Sequence, residues 1–323
     1  STPNSDEDQF ALIWKEANKR FDEYGNDKLV GTNGFYAMKA HWSEHPDRNE
    51  EWAEAEKARI GDERFRREHE CEFLIFDETL IDSIHLADME AAAPVETTGQ
   101  VRWFKRPTPG MTYMVSLDPA MGTGGDYAAI QVFELPTFEQ VGEWHHNTTP
   151  MNQQVRILQS ITKHLHDTIM EKDASATPQI FYSMENNSIG EAALLRVMDI
   201  GEENIMGMFL SEPIRKGHRR KFRRGFNTTA KHKIDACTKF KELIENNKMK
   251  INSQLLISEL KDFVASGMSF KAKPGQHDDL VSSCLLMTRM MKVLADFDPK
   301  IFEKWTDRTS EITPMPIFGS FTG

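Results

Sequence analysis

Residues 113–135 read YMVSLDPAMGTGGDYAAIQVFEL: an apolar run delivers Asp118 into a glycine-rich loop, and Asp126 precedes a second apolar run. Two strands joined by a loop is the expected local structure. Asp and Gly both favour turns, so a hairpin that happens to carry acids is one reading. The other is a metal-binding carboxylate on a rigid sheet, and that reading requires partners elsewhere in the chain.

Working outward, strands are expected at 112–118, 127–134 and 138–147, separated by short turns, which predicts an antiparallel meander. A helix at 150–170 follows, then a strand QIFYSMEN (179–186), a helix IGEAALLRVMDI (189–200), a strand NIMGMFL (204–210) and a basic stretch. The remainder predicts a helix over 229–247, a short helix near 253–264, a hairpin at 266–276 and a long helix DDLVSSCLLMTRMMKVLADF over 278–297. Three strands followed by alternating helices and strands give an α/β layer fold with a mixed sheet. Upstream, DQFALIWKEANKRFDEY (8–24) spaces Phe10, Ile13, Trp14, Ala17 and Phe21 as an amphipathic helix. One polar helix is expected over 49–70 and a strand at CEFLIF (71–76). The Pro-containing stretch 91–110 is the candidate boundary, with a domain beginning near Val101 or Met111. Three units result: 1–100, 101–298, and a tail after residue 298 expected to be extended.

Acids recur at element ends. Asp118 closes the first strand, Glu185 closes QIFYSMEN, and Asp278 and Asp279 open the last helix. If the first and fourth strands are neighbours, Asp118 and Glu185 emerge at one sheet edge, and a helix packed across that edge adds Asp279. Carboxylates so placed raise one another's pKa, and divalent cations compensate; hard oxygen donors favour Mg²⁺ or Mn²⁺. Structural alternatives stand beside each acid. Glu185 could belong to a cap with Asn187 or Ser188 at the N-cap, and the Asp pair could serve the helix dipole. His277 reads as a turn residue, His145 and His146 lie on a strand with no assigned function, and the Met run near 287–291 reads as core.

Composition narrows the class. The chain has 323 residues and a formal net charge of −11, against a surface uniformly attractive to nucleic acid. From Pro213 to Ile234, however, there is no acid, while Arg215, Lys216, Arg219, Arg220, Lys221, Arg223, Arg224, Lys231 and Lys233 are basic. That concentration suggests phosphate contact. Three widely spaced cysteines, Cys71, Cys237 and Cys284, are expected to be reduced and structural. No apolar run approaches the roughly 18 residues of a membrane span and the N-terminus lacks a secretory pattern, so a soluble cytoplasmic protein is expected.

The segments SLDPAMGTGGDY, FYSMENNSIG, GFNTTAKHKIDACTKFKELIE and GQHDDLVSSCLLM occur in that order. Together they resemble the C-terminal nuclease region of the large terminase subunit, the DNA-packaging motor protein of T4-type tailed phages. FRREHECEFLIFDETLI resembles the segment preceding that nuclease, and STPNS the motif closing its ATPase domain. The resemblance implies an RNase H-like (ribonuclease H/resolvase/integrase) sheet flanked by helices, preceded by the end of an ATPase domain and a linker in 1–100. It implies catalytic acids at Asp118, Glu185 and one of Asp278/Asp279. Asp279 is favoured because successive helical residues point roughly 100° apart. Asp126 matches a further acid of the loop, and Thr229 and Lys233 match positions on the active-site side. Two Mg²⁺ or Mn²⁺ ions are implied, with glycines letting the DNA backbone approach.

The implied activity is cutting of concatemeric viral double-stranded DNA, with portal protein and small terminase subunit as partners. The implied setting is the host cytoplasm, with oligomerisation only in the assembled motor. The chain contains no G-x-x-x-x-G-K-[ST] loop, so neither ATP binding nor pumping is expected of it as given. Rival readings are a Holliday-junction resolvase or transposase of the same superfamily, and a non-catalytic DNA- or portal-binding module.

Overall fold

A computed structural model describes residues 9–20, 29–72, 78–212, 224–267 and 269–297. The basic residues Arg215, Lys216, Arg219, Arg220, Lys221 and Arg223, most of CEFLIF and the tail after 297 lie outside the described residues. Helix α1 spans Gln9–Asn18. The single helix expected over 49–70 is two, α2 (Glu50–Ile60) and α3 (Asp62–His69), because Gly61 takes φ 86°, a left-handed conformation open to glycine, and ends the first helix. Trp42, Trp52 and Phe65 pack together around Ala53 to give this segment a small core of its own.

From Thr79 onward the chain joins a larger core. Leu80 donates to the Phe263 carbonyl at 3.0 Å and Ala265 donates to the Glu78 carbonyl at 2.7 Å. Helix α4 (Ser83–Asp88), capped by the Asp82 carboxylate, buries Leu86. Two short strands, β1 (Glu96–Thr98) and β2 (Val101–Trp103), then enter the main sheet, so its first strand precedes residue 101. The meander expected downstream forms β3 (Thr112–Asp118), β4 (Ala128–Leu135) and β5 (Glu139–His146). Next come α5 (Met151–Lys172), β6 (Gln179–Met184) and α6 (Ser188–Ile200). Strand β7 is only Met208–Phe209, shorter than the expected 204–210. Residues Glu202–Asn204 wind as a 3₁₀ turn, and Gly207 (φ 130°) lies so near Ile180 that a Cβ would stand 2.7 Å from its carbonyl oxygen.

The chain closes with α7 (Ala230–Glu245), α8 (Gln254–Asp262), the hairpin β8 (Phe263–Ser266) and β9 (Ser269–Ala272), and α9 (Asp279–Phe297). The hairpin starts earlier than 266 because the stretch around Thr79 pairs with β8 and draws residues after Asp262 into extended form.

The seven-stranded sheet runs β1-β2-β5-β4-β3-β6-β7, antiparallel through the meander and parallel from β3 to β6 and β6 to β7. The first and fourth expected strands are therefore neighbours. Every residue of β4 is buried, because helices cover both faces. Val115, Leu117, Ile130, Tyr182 and Met184 face α5 and α6, whereas Met114, Ala129, Phe133 and Phe181 face α7, α8 and α9. The Met run of α9 is core: Met287 and Met290 are buried. Cys237 and Cys284 are buried free thiols, Cys71 a half-buried one. Among the described residues no helix is long and apolar enough to cross a membrane.

Candidate active site

Side chains alternate along a strand, so Asp118 shares the face of Met114 and Ser116, the one packed against α9. Leu117 pairs with Met184, and the Glu185 amide donates to the Leu117 carbonyl at 3.1 Å, which sets Glu185 beside Asp118 on the adjacent strand. On the other side, Asp118 pairs with Ala129, and Ala129 with His145. One row across the sheet, neighbours about 4.8 Å apart, thus reads His145, Ala129, Asp118, Glu185. The small Ala129 leaves space between the histidine and the acids.

Helix α9 supplies the next acid, and a buried contact fixes how. The hydroxyls of Ser116 and Ser283 lie 2.8 Å apart; Ser116 also donates to the Ser283 carbonyl at 2.9 Å, and Ser283 to the Ser116 carbonyl at 3.2 Å. Two residues beyond Ser116 on the same strand face is Asp118, and one turn before Ser283 on the same helix face is Asp279. The serine pair therefore turns Asp279, rather than Asp278, toward the strand acids. Oδ2 of Asp279 accepts from the Tyr127 amide at 3.3 Å and lies 3.6 Å from His277 Nδ1.

The Asp278 side chain finds its partners outside α9. The Asp278 carbonyl accepts from Ser282 at 2.7 Å, while its half-buried side chain accepts from the Ala272 amide at 3.3 Å and stands 3.8 Å from Lys233 Nζ. Asn187 is the cap of α6, accepting from Ile189 and Gly190, and its amide also donates to Glu185 at 3.3 Å. Gly190 is required there, since a Cβ would stand 1.9 Å from the Glu185 carbonyl oxygen.

The electrostatics follow from this crowding. Burial first, then Glu185 through charge and hydrogen bonding, then Asp279 and Asp278, push the Asp118 carboxyl well above its usual range. Asp279 rises to about 6 through burial, opposed by the Tyr127 N–H and assisted by Asp278 and the exposed Asp126. Glu259 of α8 is pushed up to about 9, and His145 down to about 4, both chiefly by burial. Tyr127 stacks on His145 with ring centroids 4.1 Å apart, and His277 meets its edge at 4.8 Å.

The loop after Asp118 is tied to α5 and to the residues that follow β5. Gln154, buried on α5, donates to the Ala120 and Thr149 carbonyls at 2.8 and 2.7 Å, and the Gly124 amide donates to the Asn147 carbonyl at 2.9 Å. Gly122 (φ 71°) packs where a Cβ would meet the Thr149 carbonyl at 2.3 Å, while Gly125 faces open space.

Of the residues expected to contact DNA, Thr229 caps α7 by accepting from the His232 amide at 3.3 Å, and Lys231 is exposed. Lys233 lies beside Asp278, with Nζ 5.4 Å from the Phe263 ring centroid. Arg224 pairs with Glu202, and its carbonyl accepts from Asn186 at 2.7 Å. Glu259, His145 and Tyr127 are site residues that the sequence does not mark; the pairing of β4 with β5 is the signal that places His145 on the acids' row.

The donor set is all carboxylate oxygen, the chemistry of Mg²⁺ and Mn²⁺, and the mutual repulsion on Asp118 is what a divalent cation relieves. Asp118 and Glu185 are brought together with Asp279 facing them, yet no three His, Cys, Asp or Glu side chains among the described residues are grouped as around a metal ion.

A family model described as a terminase RNase H-like domain matches residues 115–290. Solved structures similar to the chain include the large terminase nuclease from thermophilic phage G20c with bound magnesium, at 17% identity over 66% of this chain and 97% of that one, TM-score 0.49. The human cytomegalovirus terminase nuclease domain, manganese-soaked and inhibitor-bound, matches at 13% identity over 69% and 98%, TM-score 0.42. The large terminase from thermophilic bacteriophage D6E matches at 9% identity over 90% of this chain and 62% of that one, TM-score 0.35.

Proposed function

The chain belongs to the terminase RNase H-like domain family, and on that premise we propose that it is a divalent-metal-dependent endonuclease that cuts concatemeric double-stranded DNA during viral genome packaging. The observation that carries the reading is the placement of Asp118 and Glu185 side by side on parallel strands, with Asp279 turned toward them by the Ser116–Ser283 contact. In this reading Asp118, Glu185 and Asp279 hold Mg²⁺ or Mn²⁺, with Asp126 and Asp278 at the margin. Two such ions, when bound, supply an activated water and stabilise charge on the phosphate and the departing 3′ oxygen.

The chain's own residues prepare that chemistry. The Tyr127 amide orients one oxygen of Asp279, Asn187 orients Glu185, and Lys233 offsets the charge of Asp278. Gly122, Gly124 and Gly125 leave three positions of the loop beside Asp118 without a side chain, so a phosphate backbone can come close. Phosphate contacts fall to the basic stretch from Arg215 to Lys233, including Arg219, Arg220, Lys221, Arg223 and Arg224. Residues 101–298 are assigned to the nuclease, with β1 added from the preceding segment, and 1–100 to the close of an ATPase domain and its linker; the expected tail, 299–323, lies outside the described residues. Portal protein and small terminase subunit are the partners of the assembled motor, and the setting is the host cytoplasm.

The test is cleavage of linear duplex and of a four-way junction with Mg²⁺, Mn²⁺ or chelator, by the wild-type chain and Asp118→Asn. Metal-dependent duplex cutting that Asp118→Asn loses is expected. Junction-selective cutting would transfer the chain to the resolvases, and no cutting with retained DNA binding would make it a gripping module.

A further inference from the structure

Beneath the acids lies a carboxylate that the nuclease chemistry does not use. Glu259, on α8, has a side chain only 11% exposed. Its Oε2 accepts from the Val281 amide of α9 at 3.0 Å, with the Leu280 amide acting in the same sense, and its Oε1 lies 3.7 Å from Nε2 of His145. A helix begins with amides that have no partner within the helix. Here the natural candidate, the Asp278 side chain, is committed to Ala272 and Lys233, so the amides of the first turn are satisfied from outside.

The donor of that bond is two residues from Asp279, inside the same turn. Helix α8, which carries Glu259, is itself tied down at both ends. At its start, the Asn252 and Ser253 amides both donate to Oε1 of buried Gln140 at 2.8 Å, and the Ser253 hydroxyl donates to Glu143 at 2.5 Å. At its finish, Asp262 pairs with Lys273 at 3.0 Å. An acceptor on so fixed a support determines where the first turn of α9 sits.

We infer that Glu259 is a positioning residue for Asp279: by accepting from the Val281 amide it fixes the first turn of α9 and so aims the metal-binding acid that this turn carries. The inference rests on the proposed metal role of Asp279. The environment makes Glu259 suited to the task, because burial disfavours its ionised form and a neutral carboxyl adds no further negative charge to an already crowded site.

The test titrates Mn²⁺ into the whole chain by calorimetry for the wild type, Glu259→Gln and Glu259→Leu, with thermal melting and metal-free duplex binding alongside. Glu259→Leu, which removes the acceptor, is expected to weaken Mn²⁺ binding about tenfold, the lower end of what removing a ligand-orienting partner costs. Glu259→Gln keeps an oxygen for Val281 and is expected to stay within about twofold of wild type, and duplex binding is expected to be unchanged in both. A folded Glu259→Leu that binds Mn²⁺ as the wild type does overturns the positioning role, and so does a Glu259→Gln as weak as Glu259→Leu, which would make the carboxylate itself a ligand. Where Glu259→Leu does not fold, Glu259→Asp withdraws the acceptor by one methylene and is read in the same way. A wild-type chain that binds no Mn²⁺ overturns the metal reading itself, and this inference with it.

Discussion

At Asp118 burial and the proposed function pull in opposite directions: a metal-holding role calls for an ionised carboxylate, while burial, Glu185 and Asp279 all resist one. Asp118→Asn removes the charge and keeps the shape, so cleavage is expected to vanish while the chelated protein melts no lower than wild type; a folded mutant that still nicks duplex would remove Asp118 from the chemistry. The same crowding sets a pH dependence. Asp279 and Glu259 have folded pKa values raised to about 6 and about 9, so the stability they contribute is complete below their usual range and is lost as pH rises through those values. His145, lowered to about 4, acts oppositely, contributing above pH 6.5 and losing that contribution as pH falls toward 4. Above pH 6.5 only the acids remain to titrate. Chelated protein is therefore expected to lose about 1 kcal/mol per pH unit between pH 6.5 and 8.5, and Mn²⁺ to flatten the decline; melting curves with and without metal check both. Between the paired aspartates, Asp279→Asn is expected to cost several orders of magnitude in cleavage rate. Asp278→Ala, which leaves the Ala272 amide without its acceptor, should cost less activity and about 1 kcal/mol of stability. The reverse ranking in cleavage would move the ligand to Asp278.

Elements carry these residues to one place, and some of that assembly was legible in the sequence. Long apolar runs marked β3 to β6 and the helices α5, α6, α7 and α9, and acids at the ends of three of them pointed to one sheet edge. Less was visible where local signals are short or are overruled by pairing. Strands β1 and β2 have three residues each inside a Pro-containing stretch, and no periodicity can be read from three positions. His145 was hidden by a bulge: counting back from the pair Glu134 and Glu139 without interruption sets Ala129 against Trp144, whereas the register shift between Val132 and Phe133 sets it against His145 and brings that ring to the acid face. Glu259 carries no local signal, because its donor, Val281, comes from another element. Close approach between elements also gives a test. Gly190→Ala improves helix propensity, yet its Cβ would stand 1.9 Å from the Glu185 carbonyl oxygen. A decrease of about 2 kcal/mol in stability is expected, the scale of an overpacking clash, with slower cleavage because Glu185 must shift; an unchanged melting temperature would show that the turn yields freely.

For the molecule as a whole, the proposed function asks an acidic chain of net charge −11 to hold a polyanion, and the dense basic stretch of its sequence lies between β7 and α7. Reversing the charge of Arg219, Arg220 and Arg223 is expected to weaken duplex binding and to flatten its salt dependence by about 0.9 in log–log slope for each phosphate no longer neutralised, leaving metal affinity alone; an unchanged slope would turn that stretch toward solvent. The backbone bonds from Glu78 and Leu80 to β8 have a further, mechanical meaning. Tension drawn along the chain from the N-terminal side of Glu78 reaches β8 at that junction through two hydrogen bonds, at 2.7 and 3.0 Å, beside the Arg66–Asp88 pair that ties α3 to α4. Strand β8 passes the strain to β9, its hairpin partner, and the last residue of β9, Ala272, holds Asp278 beside the acid that faces the sheet. A pulling force on the upstream segment would therefore have a path of hydrogen bonds to the candidate site, separate from the bulk of the core.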